Sequence, residues 1–331
     1  MFSNSGAPVL WVERGFSRRE IVRRMLAAVP SLNIISTQVQ PIEGTPTVDY
    51  PTLSTPEGVA AANELIKTHS VHALWVQDSA CHDLSGVNAD VHVAGAPDVI
   101  ALVDDKARFA EWLGDSSFRA DTSEVLGAAG VANEYKRRQA RGEEVCVKPV
   151  VGVNGEGYWH LTEAKPSVLL NTPDRRKIHP ELYVKAMELS ERSGASQRLI
   201  VMEWLPGPEV SVDVLCWYGT PLMHAARTKL GGGVQRIQSE HAVIPHVYKV
   251  VEELRLNGIV SMQYRLDAKG EWKMLEVNPR PAGGCINSED AGFGIISGWA
   301  RLVGKLVNPS DLVQYHGDVT LTVKRTVQVA R

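Results

Sequence analysis

Near residue 98 the hydrophobic rhythm of the chain changes. Before it, short apolar runs alternate with helical stripes. Residues 8–13 and NIISTQV (33–39) predict two strands, and VHALWVQ (71–77) and VHVAG (91–95) predict two more. Between the first two, Ser17 and Glu20 form a capping-box pattern ahead of Ile21, Val22, Met25, Leu26 and Val29 at helical spacing. Thr55 before Pro56 predicts another helix start, with Val59, Ala62, Leu65 and Ile66 on one stripe. Strands and helices in alternation predict a small parallel α/β layer.

After residue 98 the pattern is α+β, with antiparallel strands. DVIALVDDKARFAEWL (98–113) reads as one helix. Strands are predicted at 145–150, at RLIVME (198–203) and at VSVDVLCW (210–217). Residues 258–278 predict a hairpin turning at Lys269–Gly270. IISGWARLVGKL (295–306) predicts a helix burying Ile295, Trp299, Leu302, Val303 and Leu306. VTLTVKRTVQV (319–329) alternates as a strand should. On it Arg325 shares a face with Val319, Leu321, Val323, Val327 and Val329, which suits protection of a sheet edge or contact with an acid.

Composition excludes several classes. The 331 residues carry a net charge of −3, so no global basic field argues for nucleic acid. No apolar run reaches about 18 residues, and the N-terminus lacks a basic segment followed by a sustained apolar core, so the expectation is a soluble, cytoplasmic protein. Cys81, Cys146, Cys216 and Cys285 are far apart with no CxxC pair, which argues against a zinc knuckle or a disulfide framework. The first strand is followed by ERGFSRRE, without the GxGxxG turn of dinucleotide domains.

Four stretches could carry chemistry. Glu276 and Asn278, two apart on a strand, project to one face, with Leu275 and Val277 on the other. If Lys269–Gly270 is a two-residue turn, Gln263 falls opposite Glu276, and three oxygen-bearing side chains of the kind Mg²⁺ takes converge. A bulged turn would shift that register, and the spacing alone also describes a solvated hairpin face. Lys148 precedes Gly152, Gly155 and Gly157, which suits either phosphate approached by backbone N–H groups or a plain mobile turn. Glu203, Trp204 and Leu205 lead into two prolines, where a strand leaving its sheet keeps backbone groups free for a purine edge. Beyond them Glu209, Ser211 and Asp213 alternate with valines, as on an ordinary edge strand. Lys106 alone reads as a solvated helical lysine.

Taken in order, Lys106, Lys148 with its glycine loop, ME–LPG–E–SVD and Q…LEVNPR resemble the ATP-grasp superfamily over roughly residues 98–290. EVNPRPAGG most resembles its carboxylate–amine ligase branch, which includes amino-acid ligases. The resemblance implies a fold of class α/β and α+β: a Rossmann-like pre-ATP-grasp domain in 1–97, then an ATP-grasp domain in 98–331. That domain would divide into a glycine-loop lobe (about 115–203) and a C-terminal lobe (about 204–331), with no further C-terminal domain.

It also implies roles. Lys106 and Lys148 would hold ATP phosphates, Gly152–Gly157 would close over them, the Glu203–Leu205 backbone would face adenine, and Glu209 would take the ribose hydroxyls. Gln263, Glu276 and Asn278 would carry one or two Mg²⁺ ions, with Mn²⁺ as a substitute. Arg280 would stabilise the transferring phosphoryl group, and Gly283 and Gly284 would leave room for a substrate carboxylate. The neutral Gln263 departs from the acid often found at the first metal position, so Glu276 is the one formal charge of the three. ARTKLGGGVQR (226–236), with Arg227, Lys229 and Arg236 around three glycines, reads as an anion-friendly lid or a basic loop, and Arg227 joins Arg280 and Lys148 as a candidate catalytic group.

The activity implied is ATP-dependent activation of a carboxylate as an acyl phosphate and its coupling to an amine. The implied partners are small molecules, with no membrane and no nucleic acid, and a homodimer is common among such ligases. Rival readings are thiol, ammonia or carbamate chemistry on the same fold, or a nucleotide sensor without turnover. Retention of both Glu276 and Arg280 argues against the last.

Overall fold

The structure, a computed structural model, describes residues 9–12, 19–37, 42, 45–49, 53–76, 83–152, 155–163 and 165–323. In chain order the elements begin with β1 (Val9–Val12), α1 (Arg19–Ala28), β2 (Asn33–Ser36), α2 (Pro56–His69), β3 (Ala73–Trp75), β4 (Asp90–His92) and α3 (Pro97–Asp104). There follow α4 (Lys106–Trp112), β5 (Thr122–Leu126), α5 (Gly127–Gln139), β6 (Val145–Pro149), β7 (Trp159–Leu161), α6 (Ser167–Asn171), β8 (Lys177–Ile178), α7 (Pro180–Glu191) and β9 (Arg198–Glu203). The rest is β10 (Glu209–Trp217), β11 (Thr220–Gly231), β12 (Val234–Gln238), α8 (Ile244–Glu253), β13 (Gly258–Leu266), β14 (Trp272–Asn278), α9 (Cys285–Asp290), α10 (Ile295–Val303) and β15 (Asp318–Thr322). The chain gathers into two compact units. The larger holds Met1–Ala101, Pro208–Gln263 and Val277–Arg331, and the smaller holds Leu102–Gly207 and Tyr264–Glu276.

In the larger unit β2-β1-β3-β4 form an all-parallel sheet, as the alternating N-terminal pattern predicts. Thr55 caps α2 as expected, its Oγ1 accepting from Gly58 N at 3.1 Å. The second sheet runs β14-β13-β10-β11-β12-β15, with antiparallel pairing from β10 through β15. One apolar core joins Ile21, Met25 and Ile34 to Leu215, Ile259 and Trp299. Trp299 is fully buried, with its ring centroid 5.3 Å from that of Trp75. In the smaller unit the sheet order is β5-β9-β6-β7-β8, and α5 and α7 pack together over a core centred on Val131, Val147 and Val201.

Two local readings need correction. The helix expected over 98–113 is two helices, because Asp105 interrupts it. Its Oδ1 accepts from Ala107 N and Arg108 N, which caps α4 and makes Lys106 its first residue. Helix α10 stops at Val303, and Leu306, beyond it, is 52% exposed rather than buried. The described part of the last strand ends at Thr322, and Arg325 lies outside the described residues, as do Ser17 and Cys81. Cys146, Cys216 and Cys285 are buried and unbridged. Among the described residues no helix is long and apolar enough to cross a membrane.

Candidate functional site

In the smaller unit the cap on α4 decides where Lys106 goes. Its backbone N–H bonds Val150 O at 3.0 Å, and its Nζ reaches Gly152 O at 2.9 Å. The glycine-loop start is thereby tied to the helix. Lys106 is half-buried, not the solvated lysine its sequence context suggested. Burial pulls its pKa down, the Glu276 carboxylate pulls it back up, and the Lys148 ammonium pushes it down again. Asp104 and Asp105, next to Lys106 in sequence, raise it as well, so two cations and three acids share one electrostatic neighbourhood. Lys148 stands on β6 opposite Ile200 of β9 and is itself half-buried.

The glycines of the loop divide. Gly155 and Gly157 have φ of +68° and +67°, and a Cβ on Gly157 would press into the Pro149 ring, so a side chain is excluded there on two counts. Arg176 Nη1 donates to Gly155 O.

At the end of β9 the expectation of free backbone N–H groups narrows to one residue. Glu203 N bonds Asp121 O at 2.9 Å and Trp204 N bonds Glu144 O at 2.8 Å, so neither N–H is available for a purine. Neighbouring strand ends reach far enough to take both. Leu205 N–H has no hydrogen-bond partner among the described residues, and Leu205 is 3% exposed. The Trp204 ring stacks on His160 at 4.1 Å and 8°, which fixes the segment's direction. Glu203 Oε1 accepts from Asp121 N at 2.9 Å, yet burial still raises its pKa.

The hairpin β13–β14 carries Gln263, Glu276 and Asn278, all half-buried; Gln263 and Asn278 belong to the larger unit, and Glu276, with the turn, to the smaller. The two-residue turn expected at Lys269–Gly270 is a three-residue loop. Asp267 N bonds Glu271 O at 2.9 Å, and Gly270 N bonds Asp267 O at 3.2 Å with Gly270 at φ +83°. Asp267 Oδ1 selects that loop by accepting from Lys269 N and Glu271 N, each at 2.8 Å. The two-residue turn therefore no longer argues that Gln263 stands opposite Glu276. Arg280 is half-buried, and among the described residues it has no acid partner.

Strand β10 is not an edge strand. It lies between β13 and β11, and its polar alternation points inward: Ser211 is 2% exposed and Asp213 fully buried. Across from it, Arg227 is not on a loop. It sits within β11, opposite Ser211 and 3% exposed, with Nε and Nη2 3.4–3.5 Å from the Asp213 carboxylate. Ser288 Oγ donates to Asp213 Oδ2 at 2.7 Å. Gly284 is a glycine because a Cβ there would collide with the Arg227 guanidinium. Gly283 beside it is exposed, with open space where a Cβ would be.

The basic lid expected at 226–236 is likewise a β11–β12 hairpin, with a register shift between Lys229 and Gly231, whose cations are occupied. Lys229 Nζ donates to Glu209 Oε1 at 2.6 Å, and Arg236 Nη2 to Asp318 Oδ2 at 2.5 Å. The glycines form its turn. Sequence reasoning missed the Asp213–Arg227–Ser288 cluster. Its one sequence signal was the polar alternation 209–213 on a strand long enough to be central.

A family model described as "ATP-grasp in the biosynthetic pathway with Ter operon" matches residues 195–327. No curated protein matches the chain in sequence. Among solved structures, an L-amino acid ligase from Bacillus licheniformis superposes with a TM-score of 0.62 at 13% identity, over 90% of this chain and 74% of its own. D-alanyl-alanine synthetase A from Vibrio cholerae gives 0.60 at 12% identity, over 92% of this chain and 99% of its own. A biotin carboxylase from Campylobacter jejuni, solved as a β,γ-ATP complex, gives 0.60 at 11% identity, over 95% and 75%.

Proposed function

The chain has an ATP-grasp fold, and from it we propose an ATP- and Mg²⁺-dependent ligase that activates a carboxylate as an acyl phosphate and couples it to an amine. The observation that carries this reading is the shared field of Lys106, Lys148 and Glu276. A half-buried lysine held near a second lysine is partly offset by the acids beside it, and a polyphosphate would bring further negative charge to both lysines.

Each residue then has a task. Lys106 and Lys148 neutralise phosphate oxygens, and the Lys106–Gly152 bond sets the height of the glycine loop over them. Leu205 N–H offers the purine its one donor from this segment. Glu209 keeps Oε2 for ribose hydroxyls while Oε1 holds Lys229. Glu276, Asn278 and Gln263 supply hard oxygen donors that fit Mg²⁺, and bound Mg²⁺ would screen the charge between the carboxylate substrate and ATP. Arg280, without an acid partner among the described residues, is available to the transferring phosphoryl group. Arg227, fixed by Asp213 against Gly284, gives the 282–284 segment a cationic wall for the substrate carboxylate. Phosphoryl transfer needs positioning and charge compensation more than a covalent nucleophile, and this inventory contains the former.

The test is ADP release over a panel of amino acids and small carboxylates paired with amine acceptors. The reading predicts release that requires both substrates and Mg²⁺ and that is lost in Glu276→Ala with the fold intact. Unchanged turnover in Glu276→Ala would remove the metal assignment. Release satisfied by a thiol, ammonia or bicarbonate in place of the amine would move the chemistry to another branch.

A further inference from the structure

A cavity in the larger unit belongs to none of these roles. It has a volume of about 630 Å³ and lies among β4, the β10–β11 turn and the C-terminal end of α10. That volume is within the range of small-molecule sites. Trp217, Leu302 and Val303 contribute apolar wall, and Asp90, Tyr218 and Lys305 contribute polar groups.

The backbone at two of these residues runs against their side chains. Tyr218 and Gly219 form the two-residue turn between β10 and β11, with φ of +46° and +93°. Such a turn favours Asn or Gly at its first position. Lys305 follows α10 at φ +55°, where helices commonly place glycine. A left-handed conformation costs a side-chain-bearing residue roughly 1–2 kcal/mol. Five described non-glycine residues have positive φ, and two of them line this one cavity. Neither side chain is buried: Tyr218 is 51% exposed and the Lys305 side chain 65% exposed.

Their chemistry suggests what they are kept for. Lys305 Nζ lies 2.9 Å from Asp90 Oδ2, in a pair so exposed that it contributes little to stability. A carboxylate and an ammonium side by side match the two charges of an α-amino acid, taken head to tail. The Tyr218 ring stands edge-on to Trp217 at 5.1 Å and 83°, and its hydroxyl is 3.4 Å from His92 Nδ1, so the aromatic wall is braced. We propose that this cavity binds a free α-amino acid with an apolar or aromatic side chain: Lys305 takes its carboxylate, Asp90 its ammonium, and Trp217 and Tyr218 its side chain. None of these residues is assigned to nucleotide, metal or acyl transfer, so the site is separate from the proposed catalytic one whatever the catalytic substrates are.

Titration calorimetry of the full chain with L-phenylalanine tests this. Tyr218→Asn and Lys305→Gly relieve the backbone, so both should keep or raise the melting temperature while weakening L-phenylalanine tenfold or more. Asp90→Asn should weaken it comparably, and N-acetyl-L-phenylalaninamide, which lacks both charges, should give no saturable heat. The proposal is overturned if neither L-phenylalanine nor L-leucine gives saturable heat at millimolar concentration. It is equally overturned if the heat survives all three substitutions, which would place the amino acid elsewhere.

Discussion

Arg138 in the smaller unit and Arg227 in the larger are both buried, at 0% and 3% exposure, and they are held in opposite ways. Every nitrogen of Arg138 has an acceptor: Nε meets Glu134 at 2.7 Å, Nη2 meets Asp121 at 3.0 Å, and Nη1 meets Glu143 at 3.3 Å. Arg227 has one acid, Asp213, at 3.4–3.5 Å, and that acid is shared with Ser288. A guanidinium with an acceptor on every nitrogen fastens its own fold. One with a single acid at the far end of hydrogen-bond range keeps donors for something else. Burial alone does not separate the two, whereas the count and closeness of the acids do.

The largest effect should come from Arg227→Met, which leaves a fully buried Asp213 unpaired and should cost about 3–5 kcal/mol in urea unfolding. Adding Asp213→Asn should restore most of that stability, yet leave ADP release roughly 10²-fold down. Recovery of turnover along with stability would make Arg227 another Arg138. Next, Arg138→Ala should cost ~3 kcal/mol, the low end for a broken buried pair because Asp121 and Glu143 still reach water. Turnover per folded molecule should not change. Gly284→Ala comes third. Pushing against the Arg227 guanidinium should cost about 1–3 kcal/mol as overpacking, and it should raise KM for the carboxylate substrate more than KM for ATP.

Acid exposes the smallest and most graded contrast. Burial pulls His92 and His246 down to about 4, so the unfolded chain binds more protons than the fold between pH 6.5 and 4. Their share of stability is present above 6.5 and is lost as pH falls through that window. Arg137 and then Arg138, against the opposing effect of burial, hold Glu134 down to about 2, so the Arg138 cluster gives up its share only between pH 4.5 and 2. Unfolding measured against pH should show the first loss flattened in His92→Gln and the second in Glu134→Gln.

Where a feature depends on neighbours in sequence, the chain announced it. RLIVME became β9 residue for residue, and Thr55 before Pro56 capped a helix. The ordered motifs pointed to the fold for the same reason, since each is a short local pattern. What was hidden depended on partners distant in sequence. The inward turn of Asp213 follows from β10 being flanked by β13 and β11, which alternation alone does not reveal. The burial of Lys106 follows from the Asp105 cap and from Gly152, 46 residues away. The hairpin register turned on a single Asx contact by Asp267, a choice among turn types that Ala268-Lys269-Gly270 leaves open. Arg227 was picked out by its charge, but its setting in a strand rather than a lid came from pairing with Ser211 and Ile237.

The most direct measurement is calorimetric titration of the full chain with a non-hydrolysable ATP analogue, run with Mg²⁺ and with EDTA. The account predicts saturable binding that requires Mg²⁺ and that loses this requirement, with most of its affinity, in Glu276→Ala. No saturable binding, or equal binding with and without the metal, would contradict it.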